Sequence, residues 1–287
     1  MILECVPNFS AGRDLSIVRA IEEAMASVNG VAILDRTADP DHDRSVITFA
    51  GSPEGVQEAA VRAVEAAKAR IDLTQQNGVH PRLGAADVIP FVPLTGATMA
   101  DAIRIAHSTG HEIWRRLQVP IYFYEAAALT ADRANLADVR RGGFEAPQAG
   151  PPDLGGPGLH PTAGATMVGA RKFLIAYNIN LASNDLALAQ RLAKKLRASS
   201  GGFPCVKALG LALASRGIVQ VSMNLTDYEV TGVDQVYGAV AAEAELLGSE
   251  LIGLIPRAAL PTQDVRWENF DEGRILENRL AIAGLTS

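Results

Sequence analysis

Apolar positions recur along the chain with two periods, about 2 and about 3.6, and the order in which the periods alternate predicts the elements. Ile2 to Asn8 reads as a strand that ends in the turn Pro7-Asn8-Phe9-Ser10-Ala11-Gly12. Asp14 is placed to cap a helix running to about Val28, with Ile17, Val18, Ile21 and Met25 on one face. Gly30 ends it, and Val31–Asp35 and Ser45–Phe49 read as strands on either side of the polar loop Asp39-Pro40-Asp41-His42-Asp43. Pro53 opens a second helix, 54–70, with Val56, Ala60, Val64 and Ala67 at helical spacing, and a strand follows from Asp87 to Val92. The order βαββαβ is that of a ferredoxin-like unit.

A helix from Met99 to Leu117, a strand from Val119 to Tyr124 and a short helical piece near 132–140 come next. From Gly142 to Gly164 both periods lapse and the composition turns to Gly, Pro and Ala, which reads as a linker. The pattern then restarts. Arg171–Leu181 is a strand, Asp185–Arg197 a helix, Val206–Ala214 and Ile218–Leu225 strands, 232–247 a helix and Glu250–Ile255 a strand, with a partly helical tail over 262–287. The expected fold class is α+β, two ferredoxin-like βαββαβ halves packed with a cleft between them, residues 1–165 and 166–287.

A length of 287 residues, 48% hydrophobic and 20% charged, suits two packed halves with sizeable cores. The net charge of -6 argues against broad nucleic-acid or anionic-membrane binding. No apolar run reaches the roughly 18 residues of a spanning helix, and no signal-like segment opens the chain, so a cytoplasmic protein is expected. Cys5 and Cys205 lie in apolar surroundings without metal-ligand spacing.

There is no P-loop, no GxGxxG after a strand and no GxSxG elbow. Polar residues instead gather at strand ends and turns: Asn8, Asp35, His42, Arg44, His80, Arg82, His160, Arg171, Asn178, Asn180 and Asn224. His80 sits between Gly78 and Gly84 on a turn stiffened by Pro81, which holds a titratable ring off any helix surface. Arg82 and Asp87 follow closely. The ring either serves chemistry or merely closes the turn. Asn178 and Asn180 share one strand face. His107 and His111, four apart on a helix, read as a solvated face rather than a metal pair. The pattern G-x-H-P-x-x-G-A occurs twice, over Gly78–Ala85 and Gly158–Ala165. Two unrelated Gly/Pro turns would account for it, as would two loops meeting at the cleft.

Four blocks carry a family resemblance: Glu4-Cys-Val-Pro-Asn-Phe-Ser10, Asp43-Arg-Ser-Val46, His80-Pro-Arg-Leu-Gly-Ala-Ala-Asp-Val-Ile-Pro-Phe91 and Gly169-Ala-Arg-Lys-Phe-Leu-Ile-Ala-Tyr-Asn-Ile-Asn180. In this order they resemble the formiminotransferase family, whose members occur alone or fused to a cyclodeaminase. The resemblance implies transfer of a formimino group from N-formimino-L-glutamate to N5 of tetrahydrofolate, the folate being a co-substrate, with no metal. It places His80 on the family's catalytic histidine. It places Gly156, Pro157, Gly158, Leu159, His160, Pro161, Thr162, Ala163 and Gly164 on the folate-binding segment. Asn8, Arg44, Arg82, Arg171, Asn178 and Asn180 become candidates for binding substrate, the arginines through the carboxylates of glutamate and of a polyglutamylated folate tail. A homodimer is implied, as is a separate cyclodeaminase to close the ring.

Two departures stand out. Thr37 occupies a position that is acidic in the mammalian relatives, and the folate segment is one residue shorter. Two rivals remain. A formyl group could be taken from N-formylglutamate, which differs little in shape, or the chain could bind folate without turnover.

Overall fold

The protein, seen in a computed structural model, is described over residues 1–40, 42–76, 82–213 and 216–285. His80 and the rest of its turn, 77–81, therefore lie outside the described residues. The fold is α+β, and the chain divides after Arg171 into two compact units.

In the first unit, β1 (Leu3–Cys5) and β2 (Asn8–Phe9) are two pieces of one strand path, both pairing antiparallel with β4 (Arg44–Gly51) and β5 (Ala86–Pro93). The interruption falls at Pro7, which has no N–H to give the ladder. Helix α1 (Leu15–Ala26) connects to β3 (Val31–Asp39), which pairs with β4, and α2 (Pro53–Lys68) connects β4 to β5. The sheet order over these elements is thus β3-β4-β1/β2-β5. Beyond β5, helix α3 (Met99–Leu117), opened by a Thr98–Asp101 capping box, leads to β6 (Ile121–Glu125). A short helix α4 (Leu136–Val139) and a long loop then return the chain to β7 (Thr166–Ala170), which runs parallel between β5 and β6.

That strand corrects two expectations. Residues 142–164 do not tether one unit to the next. They form the crossover that a parallel neighbour of β6 requires. Residues 166–170, expected to open the second half, complete the first sheet, so the division falls between Arg171 and Lys172 instead of at 165/166.

Helices α1, α2 and α3 cover one face of this sheet, burying Leu3, Cys5, Phe9, Ile47, Phe49, Ile89 and Phe91 beneath Val18, Ile21, Val56, Val64 and Ile105. A smaller apolar cluster on the other face, Leu83, Val88, Tyr122, Tyr124, Val139, Ala165 and Met167, packs the long crossover down. This second face also carries the polar residues described below.

The second unit contains β8 (Ile175–Leu181), α5 (Leu186–Leu196), β9 (Val206–Leu213), β10 (Ile218–Leu225), α6 (Val233–Ala241), β11 (Leu246–Ile252) and the closing helix α7 (Leu276–Ile282). Its sheet is antiparallel in the order β11-β8-β10-β9. Helix α6 stops at Ala241, short of the expected 247, because Leu246 pairs with Leu181 across the sheet edge. Among the described residues no helix is long and apolar enough to cross a membrane.

Candidate active site

Strand alternation in the first sheet sends Leu3 and Cys5 into the helical core and Glu4 to the face away from the helices. Asn8 lies on that same face, across from Val46 of β4 and Val88 of β5. The side-chain amide of Asn8 donates to Val6 O at 2.9 Å, which turns its oxygen outward to accept from Arg44 Nε at 3.2 Å and Nη2 at 2.8 Å. Arg44 Nη1 reaches Asp87 Oδ2 at 3.1 Å. An irregularity in the β2–β5 register lets Asp87 and Val88 both leave the helical side.

Asp87 is fully buried and is the hub of the cluster. Its Oδ1 accepts from the Leu83 and Gly84 N–H groups at 2.8 and 3.2 Å, while Oδ2 takes Arg44 and also Arg140, delivered by the turn after α4. Burial alone would raise its carboxyl, but the Arg140 and Arg44 cations and the Leu83 N–H outweigh it and hold the pKa below the ordinary value. Arg44 is pulled down to about 10 by burial and by Arg140. Tyr124 is buried, and its electrostatic neighbours include Arg171 and Arg140. Glu4 differs from all of these. It is 1% exposed, and neither of its carboxylate oxygens has a hydrogen-bond partner.

The two G-x-H-P-x-x-G-A stretches meet at their ends. Gly84 and Gly164 form an antiparallel bridge, with Ala85 N donating to Ala163 O and Ala165 N to Leu83 O, at 2.9 and 3.0 Å. The approach is possible only for glycines: a Cβ would fall 2.1 Å from Ala165 O at position 84 and 1.9 Å from Leu83 O at position 164, where φ is +67°. Leu73 N also donates to Thr162 O at 2.9 Å, so the 160–165 turn holds both flanks of the stretch that contains residue 80.

His160 locks that turn. Its Nδ1 accepts from Thr162 N at 3.3 Å and Ala163 N at 3.1 Å, which fixes the ring proton on Nε2. Burial, with Lys68 nearby, lowers its pKa. A base whose folded pKa is depressed stabilises the fold above its unfolded value, near 6.5, and loses that contribution as pH falls below it. His160→Ala is expected to cost about 1 kcal/mol in urea unfolding at pH 8, and His160→Asn to recover most of it, since an Asn side chain accepts the same turn bonds. Equal losses in the two variants would exclude the lock.

Two family models match the chain, the formiminotransferase domain N-terminal subdomain over residues 2–171 and the formiminotransferase domain over 176–280. The chain belongs to the formiminotransferase family. The two matches flank the division between the compact units. The chain is similar to a glutamate formimidoyltransferase of Thermoplasma acidophilum, 41% identical over 97% of each chain, and to one of Streptococcus pyogenes, 40% identical over 97% of this chain and 98% of that one. It is also 42% identical to the formimidoyltransferase-cyclodeaminase of Sus scrofa, covering 90% of this chain and 51% of the relative.

Set against this formiminotransferase frame, the substrate-binding candidates separate. Asn8 and Arg44 meet in the cluster, and Arg171 lies within electrostatic reach of Glu4 and Tyr124. Arg82 does not join them. Its guanidinium donates to Leu73 O and Gln76 O at 3.2 and 2.8 Å and pairs with Glu145 at 2.9 Å, bracing the neck of the loop. In the second unit, Asn180 is wholly occupied by a network. It takes Gln220 at 2.8 Å and donates to Glu250 and Glu268 at 2.9 and 3.1 Å, while Arg216 bridges the two glutamates. Asn178 lies on the same strand face and is half-buried. His107 is not a solvated residue: its Nε2 sits 2.8 Å from Ala127 O and its ring packs edge-on to Phe123. Among the described residues no group of three His, Cys, Asp or Glu side chains is arranged to hold a metal ion.

Three residues of the face were not candidates on sequence grounds: Glu4, Asp87 and Arg140. Glu4 was visible in a matching block, as a charged residue inside an otherwise apolar strand. Arg140 carried no such signal, because its partner is distant in sequence.

Proposed function

We propose that this protein is a glutamate formimidoyltransferase that passes the formimino group of N-formimino-L-glutamate to N5 of tetrahydrofolate. The observation that carries the reading is identity of about 40%, over nearly the whole of both chains, to two relatives bearing that name. The N5 amine attacks the amidine carbon, a base takes the N5 proton, and the C–N bond to glutamate breaks as its nitrogen receives a proton. N5-formimino-tetrahydrofolate and glutamate result, and no electrons change hands. His80 is assigned the proton transfer, one imidazole acting as base and then as acid. Gly156 to Gly164 is assigned to folate, and Arg44, Asn8 and Arg171 to the substrate carboxylates. The arginines around Asp87 support that assignment, since Arg44 and Arg140 bring two cations to one carboxylate.

The finer architecture belongs to the same proposal. Each unit runs βαββαβ with its four strands in the order 4-1-3-2, which supports two ferredoxin-like halves as the N- and C-terminal formiminotransferase subdomains. A cytoplasmic homodimer, with ring closure by a separate cyclodeaminase, completes the reading, and light scattering at micromolar concentration tests the dimer.

The deciding assay supplies tetrahydrofolate with N-formimino-L-glutamate or with N-formyl-L-glutamate and follows the product spectrum. Formimino transfer is expected to be the faster by far. Faster formyl transfer would reassign the donor, and tight folate binding with no product from either donor would leave a binding protein.

A further inference from the structure

Resting on that transferase reading, we propose that Glu4 is the anion that receives the cationic formimino group of the donor, and that it thereby selects an amidine over a neutral formyl group. Glu4 stands in the middle of a sheet, with Ala50 on one neighbouring strand and Val92 on the other. A β-branched apolar side chain would fill such a position at no electrostatic cost. The carboxylate there is 1% exposed with both oxygens unpartnered, whereas nearly all buried polar groups in folded proteins find a partner. Two free acceptor oxygens in one plane suit one kind of ligand, a planar cation with two parallel N–H groups. A protonated amidine has that shape and charge, and it pairs with a carboxylate as a guanidinium does, through two charge-assisted bonds. A formyl group offers an oxygen where the amidine offers its second N–H, so it would set one acceptor against another.

The charge around Glu4 fits the rest of the donor. Arg171, whose charge reaches Glu4, is a cation for one carboxylate of glutamate, and Arg44 and Arg140, which share the single charge of Asp87, leave one positive charge in excess for the other. Both oxygens of Asp87 are already taken, Oδ1 by two backbone N–H groups and Oδ2 by two arginines, so it does not compete for the amidine. Glu4 remains as the acceptor for the cationic end. Burial, opposed by Arg171, raises its carboxyl to about 7, so an arriving cation ionises it readily near neutral pH. The cation whose charge bears on it is Arg171, and the neighbouring Cys5 thiol is coupled to it.

The test is Glu4→Gln, with Glu4→Met as a second variant that removes the buried acid altogether and keeps the fold testable. For each, kcat/KM is measured with N-formimino-L-glutamate and with N-formyl-L-glutamate, and donor binding without folate is measured by calorimetry against glutamate alone. Both variants are expected to lose about 10²-fold in kcat/KM for the formimino donor and to stay within a few fold for the formyl donor. An acid limb set by Glu4, expected near pH 7 in the wild-type formimino profile, should be absent from both variants. Equal losses on the two donors, or no loss on either, would overturn the assignment. If the wild type turns over neither donor, the transferase reading fails by itself. The calorimetric preference for the amidine, present in the wild type and absent in both variants, then still decides the role of Glu4.

Discussion

His80→Ala is expected to lower turnover by at least ~10²-fold while leaving tetrahydrofolate affinity within a few fold. The reaction moves a proton off N5 and another onto the departing glutamate nitrogen, and an imidazole can do both near neutral pH. The family resemblance places that role at His80, and the other four histidines are bonded elsewhere or lie on the surface. His160 spends its Nδ1 lone pair on two backbone N–H groups. His107 is bonded to Ala127 O and packed on Phe123. His111 is exposed on α3, also beside Phe123, and His42 lies 4.0 Å from Asp39 on a surface turn. The kinetic signature should be a fall in kcat with KM for folate nearly unchanged, across the pH range in which the wild type is active. Near-normal turnover in His80→Ala, with turnover abolished in His160→Ala, would reverse the roles of the two loops.

The sequence pattern reads the helices and central strands well because their periodicity is local. Met99–Leu117 and Ile218–Leu225 fall where the apolar spacing puts them. The pattern fails where distant pairing decides. Residues 166–170 are a short apolar run after a Gly/Pro stretch, and only pairing with β5, Val88 against Met167, makes them part of the first sheet. Leu246 and Leu247 suit a helix end as well as a strand start, and β8 settles the matter. The site divides along the same line. Asn8 and Arg44 could be picked out as polar residues at strand ends. The Arg140–Asp87 contact could not, since a crossover spanning a helix, a strand and a loop separates the partners. The repeated G-x-H-P-x-x-G-A motif left open whether its two copies meet, and the Gly84–Gly164 contact that joins their ends is a backbone matter that no side-chain pattern encodes.

Asp87→Asn is expected to destabilise the first unit by roughly 3–5 kcal/mol, the cost of leaving buried charges without their counter-ion. Asp87 is the acceptor for two guanidinium groups whose side chains are each 14% exposed, and for two backbone N–H groups of the stretch that ends the His80 loop. An amide of the same shape keeps one acceptor oxygen and turns its NH₂ toward a cation. Arg44 and Arg140 then face each other with the charge between them gone, and 332/(εr) at an effective dielectric near 20 makes that repulsion on the order of a few kcal/mol. For a unit of this size the melting temperature should fall by on the order of 10 °C. The pH dependence has a definite sign. Because the Asp87 carboxyl titrates below its ordinary value of 3.8 in the fold, its contribution is whole above that pH and disappears as acid protonates the folded protein. Wild type and variant should therefore differ fully at pH 7, and the difference should narrow as pH falls below 3.8. Adding Arg140→Gln to Asp87→Asn should recover part of the loss, since it removes one of the stranded cations, and the double-mutant cycle measures how much. A cost below about 1 kcal/mol for Asp87→Asn at neutral pH, or a difference that does not narrow in acid, would show that the cluster carries little of the unit's stability.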